Sequence, residues 1–272
     1  MGAVESRVRR SLLASGITVD LGLAGKVIFV AGSSRGIGKA IAAMLLDEGA
    51  RVCISGRDPA PLTETRRELS ERGTVLAFEG DLSTSGPIAA AFEKINAEWG
   101  ALDGLVCNLG TGSGSPGWNQ SEEDWARLFR LNFEASARLA QGAIPLLLDR
   151  GGSIVFISSI TGVEATRAPL PYSAAKAALI NYSKNLSRLV AKQNIRVNCV
   201  APGNVLFPGG SWERHLAKNR EAVLESIQAE VPMGRLGTPE EIASLVVFLC
   251  SVRASFITGS CFTADGGQTR SL

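Results

Sequence analysis

Lys26-Val27-Ile28-Phe29-Val30-Ala31, followed at once by Gly32-Ser33-Ser34-Arg35-Gly36-Ile37-Gly38, decides how this chain is read. The first six residues are an apolar, β-branched run without alternation, as in a strand buried on both faces. A helical pattern then runs from Lys39 to Glu48 and stops at Gly49, a C-cap residue. A strand, a glycine turn and a helix in that order open a crossover unit, whose next strand lies parallel to the first. Glycine lets the backbone turn tightly, and the helix start offers free N–H groups and a positive dipole end, which suits a pyrophosphate. Glycines at such turns are also purely structural, so this loop alone does not establish a nucleotide site.

The alternation continues outward. Arg51–Ser55 reads as the second strand, and Asp58-Pro59 opens a helix with a side-chain cap and Pro at its first position. Further strands are predicted at Thr74–Phe78, Gly104–Cys107, Ser153–Ile157, Ile195–Val200 and near Gly259–Thr263. Helices are predicted over about 86–99, from the capping box Ser121-Glu122-Glu123-Asp124 to about Leu148, from Tyr172, and from Thr238-Pro239-Glu240-Glu241 to near Cys250. Residues 203–235 read as irregular. Strands and helices alternating in this way predict one α/β domain, a doubly wound parallel sheet of about seven strands with helices on both faces. The expected boundaries are an N-terminal arm over 1–21 and a catalytic domain over 22–272, with a substrate lid at about 203–235.

Composition narrows the function. A formal charge of +2 gives no reason to expect a nucleic-acid partner. The five cysteines form no C-x-x-C pair and four sit in apolar runs, which reads as small buried side chains in a reducing cytosol. With His215 the single histidine, no metal is expected. No run is long enough to span a membrane, and a cytoplasmic location is expected. Arg9-Arg10 before Ser11-Leu12-Leu13-Ala14 hints at an export signal, but Asp20 and Lys26 interrupt its core. Met1–Ser6 fits a loose myristoylation pattern, and a frayed arm is the simpler reading.

Chemistry gathers around the fifth strand. Tyr172 and Lys176 stand four residues apart on a helical pattern and so share a face. The loop before Tyr172 is long enough to return beside Ser159, at the strand end. A free phenol has a pKa of about 10. A neighbouring ammonium is expected to lower it, and Tyr172 could then exchange a proton with a substrate oxygen. Ligands in such sheets bind at the carboxyl ends of strands. At the end of the second strand an acid would bond the ribose 2′-hydroxyl of NAD, yet Gly56 and Arg57 stand there, with Arg35 in the glycine loop. Two cations and no acid suit a 2′-phosphate, so NADP(H) is preferred over NAD(H). The alternative is two surface arginines.

Taken together, the glycine loop, Asn108-x-Gly110, Ser159, Tyr172-x-x-x-Lys176, Pro202-Gly203 and Asp265-Gly266-Gly267 resemble the short-chain dehydrogenases/reductases over about residues 22–268. The general likeness is to their 3-oxoacyl-thioester (acyl-carrier-protein) reductase branch. The resemblance implies a Rossmann-type fold and reversible NADPH-dependent reduction of a ketone or 3-oxoacyl carbonyl to a secondary alcohol. It implies Tyr172 as proton donor, Lys176 tuning it and holding the nicotinamide ribose, Ser159 orienting the substrate oxygen, and Asn132 holding a relay water. It also implies a cofactor cleft formed by Gly32, Ser34, Arg35, Gly36, Ile37, Gly38, Arg57, Asp81, Leu82, Asn108, Gly110, Pro202, Gly203 and Val205, together with Tyr172 and Lys176.

A small-molecule or acyl-thioester substrate and a homotetramer or homodimer are likewise implied. Two positions depart from the pattern: Leu109 replaces a smaller residue beside the cofactor, and Phe207 replaces a threonine that contacts the nicotinamide amide. Substrate walls are expected from the loops 108–120 and 160–171 and from the lid, carrying Trp118, Phe207, Trp212 and His215. Arg150, Arg188 and Lys192 could meet an acidic carrier protein or form a solvated face. Three rival readings stand: a catalytically silent dinucleotide sensor or scaffold, an alcohol dehydrogenase for a sugar, steroid or other polyol, and an enoyl-thioester reductase. The four-residue Tyr–Lys spacing favours C=O over C=C reduction.

Overall fold

The computed structural model describes residues 19–271. The readings of Met1–Ser6 and of most of the arm lie outside them. The seven strands are β1 (Val27–Ala31), β2 (Arg51–Gly56), β3 (Val75–Glu79), β4 (Gly104–Cys107), β5 (Gly152–Ile157), β6 (Ile195–Pro202) and β7 (Cys261–Ala264). All pair in parallel, as expected, and their order is β3-β2-β1-β4-β5-β6-β7. The chain winds outward from β1 to β3, then returns to β4 on the other side of β1. That reversal opens a crevice at the carboxyl ends of β1 and β4, where ligands of such sheets bind.

Helices α1 (Gly36–Asp47), α2 (Pro59–Ser70) and α9 (Pro239–Cys250) cover one face; α3 (Ser85–Trp99), α5 (Ala135–Leu147) and α6 (Leu170–Val190) cover the other. Side chains alternate between the faces. Phe29 and Phe156 enter one core with Phe92, Leu139 and Leu179; Ile28, Val30 and Val155 enter the other with Leu45 and Val246. Both cores are fully buried at the central strands, so truncating Phe156 to Ala would cost about 3–5 kcal/mol. This packing makes the strand ends a rigid platform.

Four local expectations are corrected. Asp58 starts α2 without a side-chain cap bond. Ser121 caps α4 (Glu122–Phe129) by accepting from the Asp124 N–H, while the Asp124 carboxylate accepts from Ser115 and Arg127. The helix from there to Leu147 is interrupted by a π-turn over Arg130–Glu134, where the Ala135 N–H reaches back five residues to Arg130. The segment 203–235 is not irregular: it holds α7 (Ser211–Lys218) and α8 (Arg220–Glu230), and a bridge between Val205 and Gly237 closes its base. The Thr238–Glu241 capping box forms as read. Four cysteines are buried and Cys261 is exposed.

Candidate active site

At the end of β5 the chain and α6 hold each other. Lys176 Nζ donates to the Ile157 carbonyl at 2.8 Å, and Ser158 Oγ donates to the Lys176 carbonyl at 2.9 Å. Beyond Ser159 the backbone makes one 3-10 turn, Ile160–Gly162, and the Ser159 hydroxyl accepts from the Thr161 N–H at 3.2 Å. Gly162 lets this turn lie directly on α6. A Cβ there would sit 2.6 Å from the Lys176 carbonyl carbon and 2.7 Å from the Ala177 nitrogen. This approach places Ser159 near the Tyr172 phenol, close enough to favour its ionised form.

Burial sets the electrostatics. It raises the Tyr172 phenol above its ordinary pKa, and Ser159 offsets only part of that. It pulls Lys176 down to about 8. The net shift of Tyr172 is therefore upward, because burial outweighs the lowering expected from a neighbouring cation. The ammonium is engaged with the Ile157 carbonyl and lies 5.8 Å from the phenol ring centroid. At neutral pH Tyr172 is a protonated acid beside a cation.

Asn132 sits in the π-turn, fully buried. π-turns insert into helices at functional positions more often than elsewhere. Its amide donates to Thr111 O at 3.1 Å and Leu128 O at 2.9 Å, and its oxygen accepts from Thr111 N at 3.0 Å. Both amide donors are thus spent on protein, and the side chain pins the 108–120 loop through Thr111. Gly110 lies between the groups: a Cβ there would be 2.6 Å from Asn132 Oδ1 and 3.2 Å from Lys176 Nζ.

The glycine loop crosses the crevice between β1 and β4. Asn108 Nδ2 donates to Gly32 O at 2.8 Å, and a Cβ on Gly38 would lie 2.3 Å from the same oxygen. Ser33 and Ser55, missed by the sequence reading, tie the loop to β2. Ser55 N donates to Ser33 Oγ at 2.9 Å, and Gly32 N to Ser55 Oγ at 3.0 Å. Ser34 packs on Gly56 and accepts from Thr65 through its carbonyl. The α1 N-terminus has neither a side-chain cap bond nor an acid in its first turn. A twelve-residue helix left so at its positive end, behind glycines that admit no Cβ, fits a dinucleotide pyrophosphate.

Arg35 and Arg57 are exposed near this loop, and neither is in an ion pair among the described residues. Although burial works to raise Asp81, its bonds from Ser83 and the charge of Arg57 hold its carboxyl below the usual range; Leu82 beside it is buried. Pro202 ends β6, and Gly203 N donates to Ala264 O at 3.0 Å. Val205 is buried where it bridges to Gly237, Leu109 packs against Gly32, and the Phe207 ring lies against Gly36.

Trp118, in the 108–120 loop, is 86% exposed. Trp212 and His215 meet on α7 with ring centroids 5.5 Å apart and planes tilted by 48°. Glu164, also missed, accepts from the backbone N–H groups of Arg270 and Ser271 and so ties the 160–171 loop to the C-terminal strap. Arg150 leans toward Asp103 at 3.9 Å, and Arg188 and Lys192 are exposed. Surface hollows of about 650 Å³ along Glu221–Ala229 and about 520 Å³ between α3 and α5 contain none of the candidate catalytic groups. No helix among the described residues is long and apolar enough to cross a membrane, and no metal-binding cluster is found among them.

The chain is similar to known proteins over most of its length. A family model described as enoyl-(acyl carrier protein) reductase matches residues 31–269. The 3-oxoacyl-[acyl-carrier-protein] reductase FabG of Chlamydia muridarum is 38% identical over 249 residues, 90% of this chain and 98% of that protein. A tropinone reductase homologue of Arabidopsis thaliana is 36% identical over 250 residues, 91% of this chain and 93% of that protein. The crystal structure of L-sorbose reductase from Gluconobacter frateurii, complexed with NADPH and L-sorbose, superposes with a TM-score of 0.88 at 37% identity. It covers 93% of this chain and 100% of that one.

Proposed function

Because the chain belongs to the short-chain dehydrogenase/reductase family and is an oxidoreductase of it, we propose that it reduces a ketone or 3-oxoacyl carbonyl to a secondary alcohol with NADPH. The observation that carries this reading is the meeting of Ser159, Tyr172 and Lys176 at the end of β5, beside the glycine loop. The N–H groups of Gly36, Ile37 and Gly38 would hold the pyrophosphate, Arg35 and Arg57 the 2′-phosphate, and Asp81 and Leu82 the adenine. When bound, the reduced nicotinamide supplies the hydride for the carbonyl carbon.

The chain's own groups manage the proton. Tyr172, kept protonated by burial, gives its proton to the carbonyl oxygen. Ser159 donates a hydrogen bond to that oxygen and then to the phenolate left behind. Lys176 is charged below about pH 8 and lowers the energy of that phenolate, since an opposite charge favours the ionised form. In the alcohol-to-ketone direction the same groups take the proton back. A silent sensor or scaffold has no use for this set.

The relatives point to two carbonyl classes, the 3-oxoacyl thioester of the Chlamydia muridarum enzyme and the ketose L-sorbose of the Gluconobacter frateurii enzyme. The name of the matched family model raises a third, the enoyl thioester. NADPH consumption with an acetoacetyl thioester, L-sorbose and a crotonyl thioester separates them. Turnover of either carbonyl is expected; turnover of the enoyl substrate alone would overturn carbonyl reduction. A lower KM for NADPH than for NADH is expected, and arginine-to-alanine changes at 35 and 57 should erase the difference. For a homodimer or homotetramer, exposed Trp125, Leu148 and Leu189 along α4–α6 and Phe256 before β7 offer apolar surface; sedimentation tests it.

A further inference from the structure

We propose that Phe207 is a gate on the cofactor cleft: its ring occupies the place of the pyrophosphate and swings away when a dinucleotide binds. The proposal rests on the dinucleotide site described above. In a glycine loop of this kind the middle glycine lets the backbone approach the pyrophosphate, because no Cβ intervenes. The space that a Gly36 Cβ would fill is taken here by Phe207: Cδ2 and Cε2 lie 2.7 Å from that point and Cζ 3.0 Å. An apolar ring thus covers the N-terminus of α1, a helix end that has no side-chain cap bond and no acid in its first turn. Such an end is better served by an anion than by an aromatic ring.

The turn that carries the ring is a defined unit. Gly210 N donates to Phe207 O at 3.0 Å, and Gly209, at φ 74°, donates to Glu213 at 2.8 Å while its carbonyl accepts from Arg214 at 2.9 Å. The base is held separately, by Leu206 N to Gly237 O at 2.9 Å and Gly237 N to Asn204 O at 2.8 Å. Residues 207–210 and α7 can therefore lift while the base stays bridged. Arg35 Nη1 lies 3.2 Å from the Cβ position of Gly209, so the same turn also borders the guanidinium assigned to the 2′-phosphate.

Cofactor binding and displacement of the ring are then one coupled equilibrium. The apparent affinity is reduced by the fraction of molecules in which the cleft is open. Displacing a half-buried ring should cost about tenfold in affinity.

The test is titration of the intact protein and of its Phe207→Thr and Phe207→Ala variants with NADPH, read by cofactor fluorescence, with rapid-mixing association rates and thermal melts to verify folding. Both variants are expected to bind NADPH about tenfold more tightly. In the parent the association rate should level off at high NADPH, and in the variants it should keep rising. The 2′-phosphate of ADP-ribose, which keeps the pyrophosphate and lacks the nicotinamide, should gain the same factor; adenosine 2′-monophosphate should gain none. Equal or weaker NADPH binding in folded variants overturns the gate, as does an equal gain for adenosine 2′-monophosphate. Failure of all three proteins to bind any nicotinamide dinucleotide overturns the underlying site, and the gate with it.

Discussion

Gly162→Ala should damage catalysis while leaving every side chain proposed to perform it unchanged. The added Cβ would stand 2.6 Å from the carbonyl carbon of Lys176, 2.7 Å from the nitrogen of Ala177 and 2.9 Å from the oxygen of Lys176. All three are backbone atoms of α6, which is locked against β5 through Ser158 and Lys176 and cannot yield as a side-chain tip would. An ordinary contact begins at 3.4 Å, so the 3-10 turn must withdraw by 3.4 minus 2.6, about 0.8 Å. Ser159 leads directly into that turn and moves with it, away from the Tyr172 phenol. Overpacking of this kind costs about 1–3 kcal/mol of stability. A misplacement of about 1 Å at a reacting group costs on the order of 100-fold in rate.

Steady-state kinetics with the best carbonyl substrate, together with chemical denaturation, should show that loss in kcat/KM alongside the stability change. NADPH affinity should stay near the parent value, because the glycine loop lies across the crevice. A variant with parental kcat/KM would show that the closeness of turn and helix does not set the Ser159–Tyr172 contact.

Asn132→Ala should cost about 2–4 kcal/mol, because it strands Thr111 N, Thr111 O and Leu128 O together; denaturation measures the loss, and a change under 0.5 kcal/mol would refute the pinning of the loop. Lys176 binds its proton less tightly when folded, at about 8 against 10.5 unperturbed, so between these values the unfolded chain holds the extra proton. Stability should therefore rise with pH across that window, and Lys176→Met should flatten the rise in a denaturation series. Over the same range the reduction rate should fall as pH passes about 8, since the charge beside Tyr172 is lost. Glu164→Gln should raise KM for the carbonyl substrate several-fold with kcat little changed, since its carboxylate ties the loop to the strap without facing the chemistry.

How much of this could be read from the chain depended on whether the signal was local. A strand buried on both faces must be apolar throughout, so β1, β4 and β5 announce themselves, and their alternation with helices leaves little choice of topology. The π-turn did not show, because one extra residue inside a long amphipathic helix barely disturbs its periodicity. Helix α7 was missed because it is eight residues long, follows Pro208-Gly209-Gly210 and buries none of its residues.

Tyr172 and Lys176 were found by spacing, yet the direction in which Tyr172 is shifted was not. That direction depends on burial and on Lys176 choosing the Ile157 carbonyl, neither of which spacing reports. Gly162 and Glu164 act through partners remote in the fold or the chain, α6 backbone and the C-terminal strap, so no pattern near them could disclose their parts.

Single turnover of the Tyr172→Phe variant preloaded with NADPH tests the proton-donor assignment most directly. Phenylalanine keeps the ring and removes only the hydroxyl, so cofactor binding should remain within a few-fold of the parent. The account predicts that conversion of the carbonyl substrate falls by on the order of 100-fold or more, the usual contribution of a general acid. Conversion at the parental rate by a variant that still binds NADPH would contradict it.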